Sequence, residues 1–202
     1  MHDVLIIRHG ESEWNRERRW QGWLDAPLTE RGVRQAHERA RLLARSGFEP
    51  RLVHCSDLGR AHRTAQIVAA ALDVTCRTDA GFRERSGGEW EGSTGDEIDR
   101  RWPGQREAFR RGELATPPGG EADGDVLVRF DAALSNAIAH GVPTVVVTHH
   151  GVLRLVATRA GMPVEALIPN LGGYWFALDG TTLTDPEPIA ALAVEPDIPF
   201  TE

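Results

Sequence analysis

The chain has 202 residues, of which 41% are hydrophobic, and its formal net charge is −7. This length and composition predict one globular domain with a sizeable core, and the acidic balance argues against a general nucleic-acid-binding surface. No apolar run approaches the ~20 residues that a membrane span needs, and the N-terminus lacks the basic flank and apolar core of a signal peptide, so we predict a cytoplasmic protein.

Apolar runs of strand length alternate along the chain with segments of helical periodicity. The pattern predicts strands over residues 3–8, 52–55, 74–77, 142–148, 173–178 and 189–194. It predicts helices over residues 29–46, 59–72, 123 or 124–140 and 152–160. Residues 11–29 are polar and are predicted to form a structured loop. Strands alternating with helices indicate an α/β fold, a three-layer α/β/α sandwich with a mostly parallel central sheet.

The middle of the chain, residues 81–124, differs in composition from the rest. It is richer in glycine, proline and charge, and only short helical pieces are predicted there, over 96–102 and 107–112. We interpret it as an insertion within a single domain that covers residues 1–202. Because binding loops are commonly carried on a rigid scaffold, we expect it to lie over one edge of the sheet on the substrate side.

Polar residues follow three of the predicted strands directly. His9 follows the first strand, residues 56–60 follow the second, and His149 and His150 follow the strand at 142–148. In open α/β sheets, ligand sites lie beyond the carboxyl ends of the parallel strands. We therefore expect these three groups to meet at one edge of the sheet.

The residue types at this edge suit phosphoryl transfer, which needs a nucleophile, cations for the phosphoryl oxygens and a proton for the leaving oxygen. Neutral imidazole attacks well near pH 7, so His9 is the candidate nucleophile. Arg8 and Arg60 would hold the phosphoryl oxygens, and His149, if protonated, would add a third cation. Glu84, in a glycine-rich loop, is the candidate general acid.

The same residues fall in five ordered blocks that resemble the histidine phosphatase superfamily, in its phosphoglycerate mutase-like branch. The resemblance extends from about residue 3 to residue 155. Its blocks are Arg8-His9-Gly10-Glu11 with Asn15 and Gln21-Gly22, Ser56 to Ala61, Arg83-Glu84 with Gly88 and Glu91-Gly92, Gly119-Gly120-Glu121 with Arg129, and Val147-Thr148-His149 with Arg154.

The resemblance implies a metal-independent phosphatase that hydrolyses small-molecule phosphomonoesters. His9 would be phosphorylated, and Glu84 would act first as the acid and then as the base for water. The resemblance implies neither a metal nor an organic cofactor. It also implies a phosphate pocket completed by Arg8, Arg60 and His149 and lined by Asn15, Gln21 and Gly22.

One departure from the family pattern affects the second pocket histidine. The family usually shows His-Gly after the last apolar strand, whereas this chain has His149-His150-Gly151. The five-residue spacing to Arg154 favours His149, and His150 stays open as the alternative. Arg154 is expected to brace the site from its helix without touching substrate.

Other functions remain open from the sequence. A phosphoglycerate mutase-type enzyme would return the phosphoryl group to a second position of its substrate, and a non-catalytic relative would only bind phosphorylated ligands. A metal site at His149 and His150 is disfavoured because adjacent residues of an extended segment point to opposite faces. The expected partner is a small phosphorylated metabolite, with no nucleic acid and no membrane; a homodimer stays open.

Overall fold

A six-stranded sheet forms the centre of the computed structural model, which describes residues 4–162, 167–190 and 192. The strands are β1 (Val4–Arg8), β2 (Leu52–Cys55), β3 (Thr75–Thr78), β4 (Thr144–Thr148), β5 (Gly173–Asp179) and β6 (Thr182–Pro188). Their order across the sheet is β3-β2-β4-β1-β5-β6. The first four in this order pair in parallel, and β5 and β6 are antiparallel.

Helices cover both faces of the sheet. They are α1 (Glu13–Arg16), α2 (Glu30–Arg45), α3 (Gly59–Leu72), α4 (Gly95–Arg101), α5 (Gln105–Arg110), α6 (Asp123–Ile138) and α7 (His150–Arg159). Side chains of a strand alternate between faces, so Leu5 and Ile7 pack with α2 and α3, and Val4 and Ile6 pack with α6 and α7. The predicted three-layer α/β/α sandwich with a mostly parallel sheet is confirmed.

The strand register brings the candidate residues to one edge. Arg8 at the end of β1 pairs with Thr148 at the end of β4, and Val147 pairs with Cys55 at the end of β2. The three strands therefore end at nearly the same level. The residues that follow them lie side by side, as the topology predicts.

The last strand differs from its prediction. β6 is Thr182–Pro188, whereas the predicted strand at 189–194 lies partly outside the described residues, and Ile189 and Ala190 follow the strand. Asp179 pairs with Thr182 across a two-residue turn, and Gly180 takes the positive φ of +61° that such a turn needs. The polar, proline-containing β6 is an edge strand, and in such a strand the hydrophobic pattern is a weak guide to where the strand begins and ends.

The predicted loop at 11–29 contains the short helix α1. Ser12 caps it, and the side chain of Asn15 accepts a hydrogen bond from the Ser12 backbone N–H in return. A helix of four residues is too short to be recognised from apolar periodicity.

In the segment 81–124, α4 and α5 each begin slightly before their predicted starts. Of the helices in the described part of the chain, none has both the length and the apolar character that crossing a membrane requires.

Candidate active site

A cavity of about 70 Å³ lies at the carboxyl ends of β1, β2 and β4, and we call it the reaction cavity. Seven of the eight predicted site residues line it; the eighth, His149, lies directly behind. Six further residues also line it, namely Arg19, Trp20, Arg85, His150, Gly151 and Leu167. The seven predicted lining residues are Arg8, His9, Asn15, Gln21, Gly22, Arg60 and Glu84.

His9 has a defined tautomer. Its Nδ1 lies 2.7 Å from the carbonyl oxygen of Gly10, and because a carbonyl can only accept, Nδ1 carries the hydrogen. The lone pair is therefore on Nε2. The His9 backbone is also fixed, since its N–H donates to Thr148 O at 3.0 Å and its carbonyl accepts from Asn170 Nδ2 at 2.9 Å. The ring is oriented for attack through Nε2.

Two buried guanidinium groups supply positive charge next to His9. Arg8 is 4% exposed and donates to Ile168 O at 2.6 Å. Arg60 is 1% exposed and donates to the carbonyl oxygens of Gly22 and Leu24 and to the carboxylate of Asp25, at 2.8 to 3.0 Å. Asp25 also accepts from Gly59 N. A single acidic partner and several carbonyls orient Arg60 without surrounding it with anions.

Glu84 lines the reaction cavity from the middle segment. Its Oε1 accepts from Arg85 N at 2.8 Å, and its Oε2 accepts from Gly151 N at 3.1 Å, in the first turn of α7. A Cβ on residue 151 would lie 2.6 Å from Glu84 Oε1, so a larger residue there would displace the Glu84 carboxylate. The carboxyl group is thereby placed between the loop of the middle segment and α7.

The loop that carries Glu84 is held by Arg129 and Glu121, a contact that sequence reasoning missed. Arg129 donates to the carbonyl oxygens of Gly81, Arg83 and Glu84 at 2.6 to 2.9 Å. It also pairs through two nitrogens with Glu121 at 2.7 and 2.8 Å. Glu121, which shares a block of the family resemblance with Arg129, is the counter-ion of this clamp. Arg129 is a positioning residue for Glu84.

Replacing Arg129 with lysine is expected to lower kcat about tenfold or more with little change in KM, because a point charge cannot satisfy three carbonyls and a bidentate carboxylate. Steady-state kinetics on a phosphomonoester measure this split. Arg159→Lys is the control, since Arg159 lies on α7 and pairs with Asp131 at the surface. A kcat that matches wild type would show that Arg129 does not position the acid.

The structure separates the two adjacent histidines. His149 is fully buried and caps α7, and its ring meets the His9 ring edge-on, with centroids 5.1 Å apart. Neither ring nitrogen of His149 has a hydrogen-bond partner among the described residues. Buried polar atoms are nearly always partnered, so the ring nitrogens of His149 are suited to hydrogen-bond a group bound beside His9. His150, the first residue of α7, lines the reaction cavity.

Burial and positive neighbours act on both inner histidines. Desolvation first, then the charges of Arg60 and Arg8, lowers the pKa of His9 well below its ordinary value. Desolvation, then Arg60 and His9, lowers the pKa of His149 in the same direction. Both rings are therefore neutral near pH 7 in the free protein. In the free protein His149 is thus an uncharged imidazole, and it would be the third cation suggested by the sequence only once protonated.

These lowered pKa values predict acid sensitivity of the fold. Below about pH 6.5 the unfolded chain protonates both histidines while the folded protein does not, so stability is lost as the pH falls. Each histidine contributes up to about 1.4 kcal/mol per pH unit. In urea denaturation between pH 8 and pH 5, the free energy of unfolding should fall less steeply with decreasing pH in His149→Gln than in wild type. The control is His37→Gln, at an exposed histidine. Equal slopes of the unfolding free energy against pH in the two variants would contradict the acid sensitivity assigned to His149.

The remaining predicted residues form one wall of the cavity. Asn15 Oδ1 accepts from the Ser12 backbone N–H at 3.1 Å, which leaves its amide N–H groups for the cavity. Gln21 Oε1 accepts from Ser12 Oγ at 2.9 Å. Gly22 has a φ of +51°, and a Cβ there would collide with the Glu91 carboxylate. Glu91 in turn accepts from Trp23 N and Gly87 N, so it joins this wall to the Glu84 loop.

Comparison with known families and relatives agrees with this arrangement. The profile of the histidine phosphatase superfamily (branch 1) matches residues 4–172. A glucosyl-3-phosphoglycerate phosphatase of Mycolicibacterium vanbaalenii is 34% identical over 92% of this chain and 87% of its own length. A 2,3-bisphosphoglycerate-dependent phosphoglycerate mutase of Methylobacterium radiotolerans is 33% identical over 83% of each chain.

Solved structures share the fold along nearly the whole chain. Mycobacterial glucosyl-3-phosphoglycerate phosphatase in complex with VO3 superposes with a TM-score of 0.80 at 28% identity, covering 96% of this chain and 100% of that one. Bacillus stearothermophilus YhfR superposes with a TM-score of 0.78 at 31% identity, covering 98% of each chain.

Proposed function

The chain belongs to the histidine phosphatase superfamily, and from this and the geometry of its reaction cavity we propose that His9 and Glu84 carry out the hydrolysis of small phosphomonoesters. It is a phosphatase-type enzyme of that superfamily. The assignment of each catalytic role rests on the tautomer of His9, the two buried arginines and the position of Glu84.

In the first step His9 Nε2 attacks phosphorus, and the bond from phosphorus to the ester oxygen breaks. The Nδ1 proton stays hydrogen-bonded to Gly10 O, so the positive charge that forms on the ring is stabilised by that carbonyl. Arg8 and Arg60 stabilise the phosphoryl oxygens, and neutral His149 donates a hydrogen bond to one of them. Glu84 gives its proton to the departing oxygen.

In the second step the same groups act in reverse. Glu84, now a carboxylate, takes a proton from a water molecule, whose oxygen attacks phosphorus of the phosphohistidine. The nitrogen–phosphorus bond breaks, inorganic phosphate leaves, and His9 Nε2 recovers its lone pair. The Gly151 N–H and Arg85 N–H hold the Glu84 carboxylate in place for both proton transfers.

The observation that carries the proposal is the Nδ1–H···O hydrogen bond of His9, which leaves Nε2 as a nucleophile close to the guanidinium groups of Arg8 and Arg60. The test is incubation with a ³²P-labelled phosphomonoester followed by a denaturing quench at alkaline pH, where phosphohistidine is stable. We expect label on the protein that disappears after brief acid treatment. Absence of label in wild type and in Glu84→Gln would overturn the phosphohistidine route.

Mutase activity is the second candidate, favoured by the similarity to the Methylobacterium radiotolerans mutase. We place it second because the stretch between Gly92 and Gly119 is short, whereas mutases must shield the phosphoenzyme from water. Product analysis with 3-phosphoglycerate separates the two activities. Free phosphate indicates hydrolysis, and 2-phosphoglycerate indicates a mutase.

The substrate is a small phosphorylated metabolite, by analogy with relatives named for glucosyl-3-phosphoglycerate and for phosphoglycerate. Both named compounds carry a carboxylate near the phosphate. The single domain over residues 1–202, the cytoplasmic location and a homodimer stay predictions from the sequence.

A further inference from the structure

A second cavity continues outward from the reaction cavity. Trp20 and Arg85 line both, so the two spaces adjoin at these side chains. The outer cavity has a volume of about 370 Å³, compared with about 70 Å³ for the reaction cavity. Small-molecule sites usually occupy roughly 300–1,000 Å³. The reaction cavity by itself suits little more than a phosphoryl group, so the leaving group of a substrate has its space in the outer cavity.

The charges around the outer cavity are unequal. Three arginines line it, namely Arg85, Arg110 and Arg154, with one acidic residue, Asp123. Asp123 is already paired with Arg85 at 2.5 Å. An anion entering the outer cavity would therefore meet a net positive lining. The one acidic side chain of this lining cannot occupy all three arginines, so the anion would not have to displace it to bind.

Arg154 is the arginine best placed to meet such an anion. It lies on α7 one helical turn after His150, so α7 gives one side chain to each cavity from the same face. Its Nε is buried without a hydrogen-bond partner, and no carboxylate among the described residues forms an ion pair with it. Arg159 on the same helix, by contrast, pairs with Asp131 through two hydrogen bonds.

The rest of the outer cavity is apolar and aromatic. Trp20 and Phe109 meet edge-on with centroids 5.9 Å apart, and Leu114 completes this side. The Arg85 guanidinium lies over the Phe109 ring at 4.7 Å. Aromatic edges and faces of this kind accommodate a ring or a short apolar segment between the phosphate and a distal charge.

We propose that the outer cavity is a leaving-group subsite in which Arg154 binds a second anionic group of the substrate, a carboxylate or phosphate at the far end of an extended leaving group. This rests on the proposed phosphatase function. It differs from the bracing role expected for Arg154, because it requires the guanidinium to contact the substrate.

The test uses two substrates of nearly the same shape, 4-carboxyphenyl phosphate and 4-nitrophenyl phosphate, which differ in the charge of the distal group. The value measured is the ratio of kcat/KM for the carboxylate to that for the nitro compound, so differences in leaving-group reactivity cancel between variants. We expect Arg154→Gln to lower this ratio about tenfold or more, the effect of losing a hydrogen bond to a charged group. The control, Arg159→Gln, should keep the wild-type ratio within about twofold.

The outcomes separate the two proposals. An unchanged ratio in Arg154→Gln, with both compounds still hydrolysed, overturns the subsite and leaves the phosphatase function intact. Equal losses on both compounds together with a lowered Tm show that Arg154 is only a brace, which also overturns the subsite. If wild type hydrolyses neither compound, or forms no phosphohistidine, the proposed function is overturned and the subsite with it.

Discussion

Replacing His9 with alanine is expected to lower kcat for phosphomonoester hydrolysis by about 10⁴-fold or more and to abolish phosphohistidine labelling. Among the described residues that line the reaction cavity, His9 alone has a lone pair oriented by an Nδ1–H···O hydrogen bond and two guanidinium groups next to it. Loss of a covalent nucleophile removes the two-step route entirely, and losses of this size are typical. Steady-state assays with 4-nitrophenyl phosphate provide the measurement.

His37→Ala is the matched control for this substitution. His37 is exposed on α2, away from the reaction cavity, so the variant should keep full activity. Retention of more than about 1% of wild-type activity by His9→Ala would identify another nucleophile, and His150 would be the first to test because it lines the same cavity.

The fold and much of the site were predictable because their signals are local and strong. β1 and β4 are continuous apolar runs buried on both faces, which is how a central parallel strand reads in sequence. Once these strands are recognised, topology alone brings Arg8, His9 and the residues after β2 to one edge. Thr29 caps α2, Gly47 follows it and Gly59 begins α3, and the predicted bounds of both helices lie within one residue of the observed ones.

The parts that escaped prediction depend on contacts between distant residues. Arg129 and Glu121 lie on and beside α6, and no local pattern shows that their side chains hold the Glu84 loop. The same holds for Asn170, which fixes the His9 carbonyl across 161 residues. The pattern after β4 left His149 and His150 both open, because which ring faces inward depends on where α7 begins.

Replacing Glu84 with glutamine is expected to lower kcat by about 10²–10⁴-fold, with a dependence on the leaving group that identifies both of its roles. Glutamine keeps the shape of the side chain and can still accept from Gly151 N, but it neither gives nor takes a proton. An alkyl phosphate needs the acid for its first step, so the variant should form little phosphoenzyme from it. 4-Nitrophenolate leaves without a proton, so phosphorylation of His9 should continue.

The second step then becomes visible, because hydrolysis of the phosphohistidine still needs a base. With 4-nitrophenyl phosphate, Glu84→Gln should release about one equivalent of nitrophenolate per enzyme in a burst and then turn over slowly. Glu89→Gln is the control, since Glu89 is exposed in the same loop and pairs only loosely with Arg101 at 3.4 Å. Equal slowing of the hydrolysis of alkyl and nitrophenyl phosphates, without a burst, would mean that a different residue transfers the proton. The clamp formed by Arg129 would then position a loop that carries no catalytic carboxylate.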